Sequence, residues 1–140
     1  MARAHWLVKS EPSAYSWDDL LRDGSTRWDG VRNAQALHNL EDMRVGDRVL
    51  FYHSNVGKEV VGVARVSRAA YPDPRARDPR LAVVDLAPVA ALARPVPLAV
   101  IKADGALREI PLVKQSRLSV MPLEPAAFQR ILELGGTRLR

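Results

Sequence analysis

The sequence contains no cysteine, and this absence excludes several kinds of chemistry at once. Disulfide bonds, thiolate metal ligands and cysteine nucleophiles are all ruled out, and a chain without cysteine fits a reducing compartment. Long apolar runs are also lacking, because no stretch approaches the roughly 20 residues that a membrane-spanning helix needs. Residues 1–10 lack the apolar stretch of a secretion signal. We therefore expect a cytoplasmic protein, in a bacterial-type cytosol or nucleoid, with no membrane partner.

Standard cofactor and metal motifs are missing as well. The three histidines, His5, His38 and His53, do not form the H-x-H or H-E-x-x-H spacings of metal sites. There is no G-x-x-x-x-G-K-[ST] loop for nucleoside triphosphates and no G-x-G-x-x-G turn for dinucleotides. The nucleophile elbow G-x-S-x-G is absent too. We expect neither a metal nor a cofactor.

The length and charge of the chain limit the number of domains and the kind of partner that we expect. The chain has 140 residues, of which 47% are hydrophobic, so one domain can bury a core without disulfides or metals. We expect that domain to cover residues 1–136 and a frayed tail to follow at 137–140. The net charge is +5, which favours a polyanionic partner. The excess of arginine over lysine also fits a bias in genome composition. Charge alone does not decide between a polyanionic partner and such a bias.

Hydrophobic periodicity and turn residues predict a mixed α+β fold. Ser16 and Asp19 form a capping-box pattern at the start of a helix that Gly24 ends. Asn33 can cap a second helix, and Pro125 opens the last one. Strands are expected at 5–10, 48–54, 60–68, 81–92 with a break at Pro88, and 112–120, with loops at 71–80 and 94–97. These short elements favour a small, strongly bent mixed sheet or open barrel.

Three polar residues follow the first predicted strand. Lys9, Ser10 and Glu11 lie near the end of the segment W-L-V-K-S-E-P at 6–12. A rigid strand end is a place where a sheet can present functional groups to a binding site. Alternatively, these residues are polar only because the chain leaves the core here, and their spacing alone favours this second interpretation.

The segment W-D-G-V-R-N at 28–33 combines a tryptophan with a tight turn. Trp28 lies outside any strong apolar period, so its ring is predicted to be free to stack on a base or a cation. Arg32 can bind a phosphate or a base edge, and Asn33 carries both a donor and an acceptor for reading a base edge. Alternatively, Trp28 packs against a loop and Asn33 is only a helix cap.

The segment F-Y-H-S-N at 51–55 ends another predicted strand. Alternation places Phe51 and His53 on one face of this strand. Tyr52 and Ser54 lie on the other face, so a pocket that used both Tyr52 and His53 would need a bulge or a strand end. A histidine beside a serine could indicate acyl transfer, but neighbouring strand residues point apart and no nucleophile elbow is present. We therefore expect no Ser–His catalysis.

Two basic segments could contact a polyanion. Arg117 is flanked by hydroxyls in Q-S-R-L-S at 115–119, which can hold a phosphate, although a solvated strand has the same pattern. Residues 65–80 contain five arginines against Asp73 and Asp78. This stretch is predicted to be a solvated loop rim, with contact to a nucleic-acid backbone as the alternative.

Taken together, eight sequence blocks resemble the EVE domain family. They are W-L-V-K-S-E-P at 6–12, Y-S-W-D-D-L at 15–20, W-D-G-V-R-N at 28–33, V-G-D-R-V-L-F-Y-H-S-N at 45–55, V-G-V-A-R-V at 61–66, Y-P-D-P at 71–74, V-V-D-L at 83–86 and R-L-S-V-M-P at 117–122. The resemblance covers nearly the whole chain, from Trp6 to about Gly135. The sequence departs from the family pattern at Leu37, His38 and Leu81.

The resemblance implies a PUA-like fold, which is a bent mixed β-barrel with short flanking helices, similar to the YTH and ASCH modules. It also implies a function, because the family is implicated in binding modified bases, especially modified cytosines in DNA. By the likeness to YTH domains, Lys9 and Ser10 match residues that read the polar edge of a base. Trp28 matches one wall of an aromatic cage.

Residue chemistry and resemblance together predict two sets of binding residues. The base pocket is predicted to comprise Lys9, Ser10, Glu11, Trp28, Val31, Asn33, Tyr52, His53 and Ser54. Contacts to phosphate or backbone are predicted for Arg32, Gln35, Asn55, Arg117 and Ser119. The expected partner is a nucleic acid that presents a modified or unpaired base, and the expected oligomeric state is a monomer.

Two functions from different classes stay open on the sequence. The first is a non-catalytic reader that holds a flipped base, with modified cytosine in DNA favoured and RNA as the other polymer. The second is a hydrolase or glycosylase acting on nucleic acid, in which Glu11 and His53 carry out the chemistry. Related PUA-like modules are mostly binders, so the reader is the preferred hypothesis, by analogy of fold.

Overall fold

Residues 4–139 are described by a computed structural model, and they form six strands and five helices around one core. The order along the chain is β1 (His5–Ser10), α1 (Trp17–Asp23), β2 (Thr26–Trp28), α2 (Ala34–Asp42), β3 (Arg48–His53), β4 (Glu59–Pro72), β5 (Ala82–Pro97), α3 (Leu98–Ala103), α4 (Pro111–Lys114), β6 (Val120–Leu123) and α5 (Pro125–Leu134). The mixed α+β class predicted from the sequence is confirmed.

One sheet contains all six strands in the order β2-β5-β4-β3-β1-β6. β1 and β3 run parallel, and the other neighbouring strands run antiparallel, so the sheet is mixed as expected. The sheet is open rather than closed into a barrel. It ends at β2, with three residues, and at β6, with four, and within the described chain each of these edges pairs with a single neighbour.

The predicted capping contacts determine where α1 and α2 begin. The Ser16 hydroxyl accepts a hydrogen bond from the Asp19 N–H at 3.1 Å, and the Asp19 carboxylate accepts from the Ser16 N–H at 2.8 Å. Gly24 ends α1 in the left-handed region at φ 76°, where a residue without Cβ is favoured. The Asn33 side-chain oxygen accepts from the Ala36 N–H at 3.0 Å and caps α2. All of these signals are local, and the structure confirms them.

The prediction for β5 is wrong in two places. The strand runs without interruption through Pro88 and through residues 94–97, where a break and a loop were expected. Pro88 is tolerated because β2 pairs with β5 only over residues 84–86, so within the described chain no strand pairs with that side of β5 at Pro88. Several register shifts between β4 and β5 also interrupt the regular hydrogen-bond ladder.

The segment expected as a strand at 112–120 is mostly not a strand. Helix α4 begins at Pro111, and a turn follows before β6 starts at Val120. Proline at a first helical position has its φ angle already set for a helix, and it gives up only a donor that a helix start leaves unpaired. This local effect outweighs the alternating apolar pattern of the segment.

A buried carboxylate fastens the beginning of β1 to the turn before β3. Asp47 is only 4% exposed. One of its oxygens accepts from the Ala4 N–H at 3.1 Å. The other accepts from the Trp6 indole N–H at 3.0 Å and from the Arg44 N–H at 2.9 Å. These three bonds hold the parallel strands β1 and β3 in register at their amino ends.

Gly62 lies directly beneath an indole ring, and a methyl group there has no room. A Cβ atom at this position would be 2.5 Å from Cζ2 of Trp17, which is a buried side chain. We therefore expect Gly62→Ala to lower the free energy of unfolding by about 1–3 kcal/mol, the usual cost of overpacking a core. Chemical denaturation measures this loss.

Gly105→Ala is the matched control for Gly62→Ala. No heavy atom lies within 4 Å of a Cβ at Gly105, and its φ is not in the left-handed region. This variant is expected to change stability by less than about 0.5 kcal/mol. Equal stability of the two alanine variants would contradict the close packing of Trp17 on Gly62.

The end of the chain makes specific contacts in the segment predicted as a frayed tail. The Thr137 hydroxyl accepts from the Ala93 N–H at 2.8 Å, and Leu139 packs against the core. Arg140, also part of the predicted tail, lies outside the described residues. None of the helices in residues 4–139 has the length and apolar character needed to cross a membrane.

Candidate functional site

The parallel pairing of β1 with β3 brings two polar segments to one edge of the sheet. Lys9 lies beside Tyr52 in the register, and Ser10 lies beside His53. Because parallel strands end at the same edge, Glu11 and Ser54 also follow there, and the Ser54 N–H donates to the Ser10 carbonyl at 2.9 Å. The sequence indicated each segment separately but gave no sign of the pairing that joins them.

A cleft of about 500 Å³ opens at this edge, between the end of β1 and the end of β2, and it is called the first cleft. Its lining includes Lys9, Ser10, Glu11, Trp28, Val31 and Ser119 of the predicted binding residues. Five predicted base-pocket residues thus lie around one cleft. Ser119, which was predicted to contact phosphate, lines the same cleft.

Trp28 lies at the end of β2, not on a turn outside the core as its sequence context predicted. The side chain is 8% exposed and packs edge-to-face on Phe51, with 5.5 Å between ring centroids. Trp28 belongs to the sheet because it pairs with Val84 of β5. The three residues of β2 are too few to show a hydrophobic period, so the sequence did not predict this contact. The remaining exposed part of the indole borders the first cleft.

The opposite wall of the first cleft comes from the segment between β1 and α1. The Ser10 hydroxyl donates to the Tyr15 carbonyl at 2.6 Å and draws this segment over the strand end. The Tyr15 hydroxyl donates to the Asp23 carboxylate at 2.9 Å, and burial raises the pKa of that hydroxyl. Tyr15 therefore remains a neutral aromatic side chain at the cleft across the neutral pH range.

A second cleft, of about 460 Å³, lies on the other side of Lys9. It shares Lys9, Glu11 and Ser119 with the first cleft. Tyr52, Ser54 and Asn55, which were predicted as site residues, line it together with Lys58, Leu98, Leu112 and Ser116. Alternation along β3 is confirmed, since Tyr52 and Ser54 share this cleft while His53 packs edge-to-face on Phe51.

A third cleft, of about 250 Å³, adjoins the first on its far side. The two share Asp29, Gly30 and Val31, and the third also contains Arg32 and Arg75. Leu81, one of the departures from the family pattern, lines it as well. The predicted contact residue Arg32 is thus placed next to the first cleft but not in it.

Four predicted site residues line none of these three clefts, namely Asn33, Gln35, His53 and Arg117. Asn33 is exposed and its side-chain oxygen caps α2, which matches the alternative interpretation of this residue. Gln35 is exposed on α2, and Arg117 is exposed on the turn before β6. Their contact with a nucleic acid stays a prediction.

His53 is engaged with the backbone rather than with a cleft. Its Nε2 accepts the Trp17 N–H at 3.0 Å, at the first turn of α1. The carboxylate of Glu11 instead accepts from the Asn55 amide at 2.7 Å. His53 lines neither cleft that contains Glu11. The structure therefore does not assemble the Glu11–His53 pair that a hydrolase or glycosylase would use.

The burial of His53 makes the folded state sensitive to acid. Burial lowers the pKa of His53 below its ordinary value of 6.5, against smaller opposing effects of Glu59 and Asp18. As the pH falls below about 6.5, the unfolded chain binds a proton that the folded chain resists, so stability is lost. We expect His53→Gln to flatten the decline of unfolding free energy between about pH 7 and 5.

The control for His53→Gln is His38→Gln. His38 is exposed and lies 3.4 Å from Asp42, and both residues belong to α2. Denaturation curves at several pH values should give the same slope for His38→Gln as for the original chain. An unchanged slope in His53→Gln would exclude His53 as the titrating group.

Sequence reasoning did not select several residues that line the clefts. Tyr15, Asp29 and Gly30 line the first cleft and lie within blocks that carried the family resemblance, so a signal was available. Lys58 and Ser116 line the second cleft. Ser116 lies in the Q-S-R-L-S segment that was considered for phosphate binding, whereas no local pattern marks Lys58. They reach the site only through the β3–β4 loop and the turn after α4.

Comparison with known proteins agrees with this architecture. The EVE domain family model matches residues 4–134. Human thymocyte nuclear protein 1 is 32% identical over 165 aligned positions, which cover 94% of this chain and 73% of that protein. The match over nearly the whole chain confirms the resemblance that the eight sequence blocks indicated.

Solved structures extend the comparison. Rpa0253 from Rhodopseudomonas palustris superposes with a TM-score of 0.91 at 44% identity and covers 95% of this chain and 93% of its own. Human THYN1 protein in complex with 5-methylcytosine containing DNA has a TM-score of 0.87 at 31% identity, covering 97% and 99%. A YTH domain from Zygosaccharomyces rouxii, with a TM-score of 0.62 at 17% identity, shares the fold and covers 99% and 89%. The chain belongs to the EVE domain family.

Proposed function

We propose that this chain is a reader of nucleic acid that holds one flipped, modified base in the first cleft. This proposal rests on the lining of the first cleft, where the end of β1 and the indole of Trp28 lie around the same space. Lys9 and Ser10 supply polar groups on one side, and Trp28 supplies an aromatic surface on the other. A base needs both kinds of contact, because stacking gives affinity and hydrogen bonds to its edge give selectivity.

The likeness to human THYN1 protein supports modified cytosine in DNA as the favoured ligand. The solved complex of that protein contains 5-methylcytosine DNA. In this chain the Ser10 hydroxyl uses its proton on the Tyr15 carbonyl, so its oxygen is left as an acceptor. The exocyclic amino group of cytosine is a donor and suits such an acceptor. The monomeric state and the cytosolic location expected from the sequence stay predictions.

Basic residues around the three clefts favour the approach of a polyanion. Lys9 and Lys58 lie on one side of the first cleft, and Arg32 and Arg75 lie on the other. If a single strand covers these four cations, roughly four phosphates are neutralised, and the slope of log affinity against log salt should be near −3. Fluorescence anisotropy at several salt concentrations measures this slope. A flat response would remove electrostatic attraction from the proposal.

A binding panel tests the proposed function. Matched oligonucleotides carry one modified or one unmodified cytosine, in DNA and in RNA, and the affinity for each is measured at constant salt. We expect the modified DNA to bind more tightly than its unmodified counterpart, with no release of base and no strand cleavage after prolonged incubation. Equal affinities for all four oligonucleotides would contradict a modified-base reader, and a released base would indicate a glycosylase.

A further inference from the structure

The hydroxyl of Tyr52 is a polar group at the second cleft that has no partner in the described part of the protein. The residue is only 3% exposed, and within residues 4–139 its hydroxyl forms no hydrogen bond. This oxygen is not among the fully enclosed polar atoms of the described chain that lack a partner, so it is reached by solvent. Because Tyr52 lines the second cleft, a ligand atom in that cleft can replace solvent as the partner of the hydroxyl.

Two ammonium groups border the same cleft. Lys9 is held in place, since its Nζ donates to the Ser116 carbonyl at 2.8 Å. Lys58 is exposed, and it forms no ion pair with any residue in the described part of the chain. The backbone around Lys58 is fixed, because its carbonyl accepts from the Leu98 N–H at 2.8 Å.

The acidic group at this cleft is already engaged. The Glu11 carboxylate accepts from the Asn55 amide at 2.7 Å. The lining of the second cleft therefore offers two cations and the hydroxyls of Tyr52, Ser54 and Ser119 against one carboxylate, which is hydrogen-bonded to Asn55. A second carboxylate, that of Glu59, acts on Tyr52 from outside this lining. Lysine ammonium groups and hydroxyl donors are the side chains that bind phosphate oxygens in nucleic-acid interfaces.

We propose that the second cleft binds a backbone phosphate next to the base held in the first cleft, with Tyr52 and Lys58 as hydrogen-bond donors. This inference rests on the proposed function. The two clefts share Lys9, Glu11 and Ser119, so a nucleotide whose base fills the first cleft extends its sugar-phosphate across Lys9 into the second. Tyr52, expected as part of the base pocket, is thereby a phosphate-binding residue.

The test compares ligands that differ only in phosphate. 5-Methyl-2′-deoxycytidine, its 3′- and 5′-monophosphates and inorganic phosphate are titrated against the full chain, with binding followed by amide NMR. We expect one monophosphate to bind about tenfold more tightly than the nucleoside, the gain from a hydrogen bond to a charged group. Tyr52→Phe and Lys58→Gln should each remove most of that gain, since Tyr52→Phe deletes a single oxygen atom and preserves the ring.

Arg44→Gln is the charge control. Arg44 is exposed in the turn before β3, at the opposite end of the parallel strands from the clefts. This variant loses one positive charge, as Lys58→Gln does, and should keep the full gain from phosphate. An equal loss in Arg44→Gln would mean that net charge alone produces the effect, and it would overturn the inference.

The remaining outcomes separate the inference from the proposed function. If the nucleoside and both monophosphates bind equally, the phosphate site is overturned while base binding stands. If Tyr52→Phe weakens nucleoside and monophosphate to the same extent, Tyr52 belongs to the base site and the inference fails. If inorganic phosphate binds the second cleft but linkage to the base gives no gain, the proposed connection between the clefts is overturned. If no ligand with a base binds the original chain, the proposed function itself fails.

Discussion

Replacing Trp28 with alanine is expected to weaken base binding and to destabilise the domain. The side chain packs on Phe51 in the core, so the lost burial should lower the free energy of unfolding by about 3–5 kcal/mol. Loss of the aromatic surface at the first cleft should cost a further 1–3 kcal/mol, roughly, in affinity for every base. Affinity is measured at a temperature where denaturation curves show the variant to be folded.

Trp17→Ala separates the two effects of Trp28→Ala. Trp17 is also buried and packs edge-to-face on Phe51, with 5.5 Å between ring centroids, but it does not line the first cleft. This variant should lose stability to a similar extent and retain its affinity for the base when folded. Equal losses of affinity in Trp17→Ala and Trp28→Ala would assign Trp28 to the core alone.

Replacing Asp47 with alanine should produce the other large effect, on stability. The carboxylate is buried and accepts three hydrogen bonds. Its removal leaves the Trp6 indole N–H buried without an acceptor, and an unsatisfied buried donor costs about 1–3 kcal/mol. Together with the two backbone N–H groups, we expect a loss of about 3 kcal/mol or more in unfolding free energy. Urea denaturation measures it.

Asp42→Ala is the control for Asp47→Ala. Asp42 is exposed at the end of α2 and lies 3.4 Å from the exposed His38, so its replacement should change stability by less than about 0.5 kcal/mol. Asp47→Asn keeps the size of the side chain and one acceptor oxygen, and it should fall between the two alanine variants. A stability of Asp47→Ala within error of Asp42→Ala would contradict the account of how β1 is fastened.

Elements marked by capping residues could be predicted from the sequence because their signals are local. The Ser16–Asp19 capping box, the Asn33 cap and Gly24 each act within a few residues, and each forms the expected contact. Helix α5 likewise begins at Pro125 as predicted. Lys9, Ser10 and Glu11 were predicted as site residues from their position at a strand end together with the family resemblance, and they line the first cleft.

The rest depends on pairing between distant segments. The parallel register that brings Lys9 beside Tyr52 joins residues 43 positions apart, and no short pattern encodes it. Trp28 is in the core because β2 pairs with β5, although three residues carry no usable period. Pro88 stays within a strand because, among the described residues, no strand pairs with one side of β5 at that point. Each difference has the same origin, which is that tertiary contacts override a local preference.

An NMR titration localises base binding and tests the central claim most directly. Amide spectra of the chain are recorded with a DNA oligonucleotide that carries one 5-methylcytosine, and with its unmodified counterpart. The account predicts that the modified oligonucleotide shifts the signals of Ser10, Trp28 and Gly30 at the first cleft more strongly than the unmodified one does. Identical shifts with both oligonucleotides, confined to the arginine-rich residues 65–80, would contradict it.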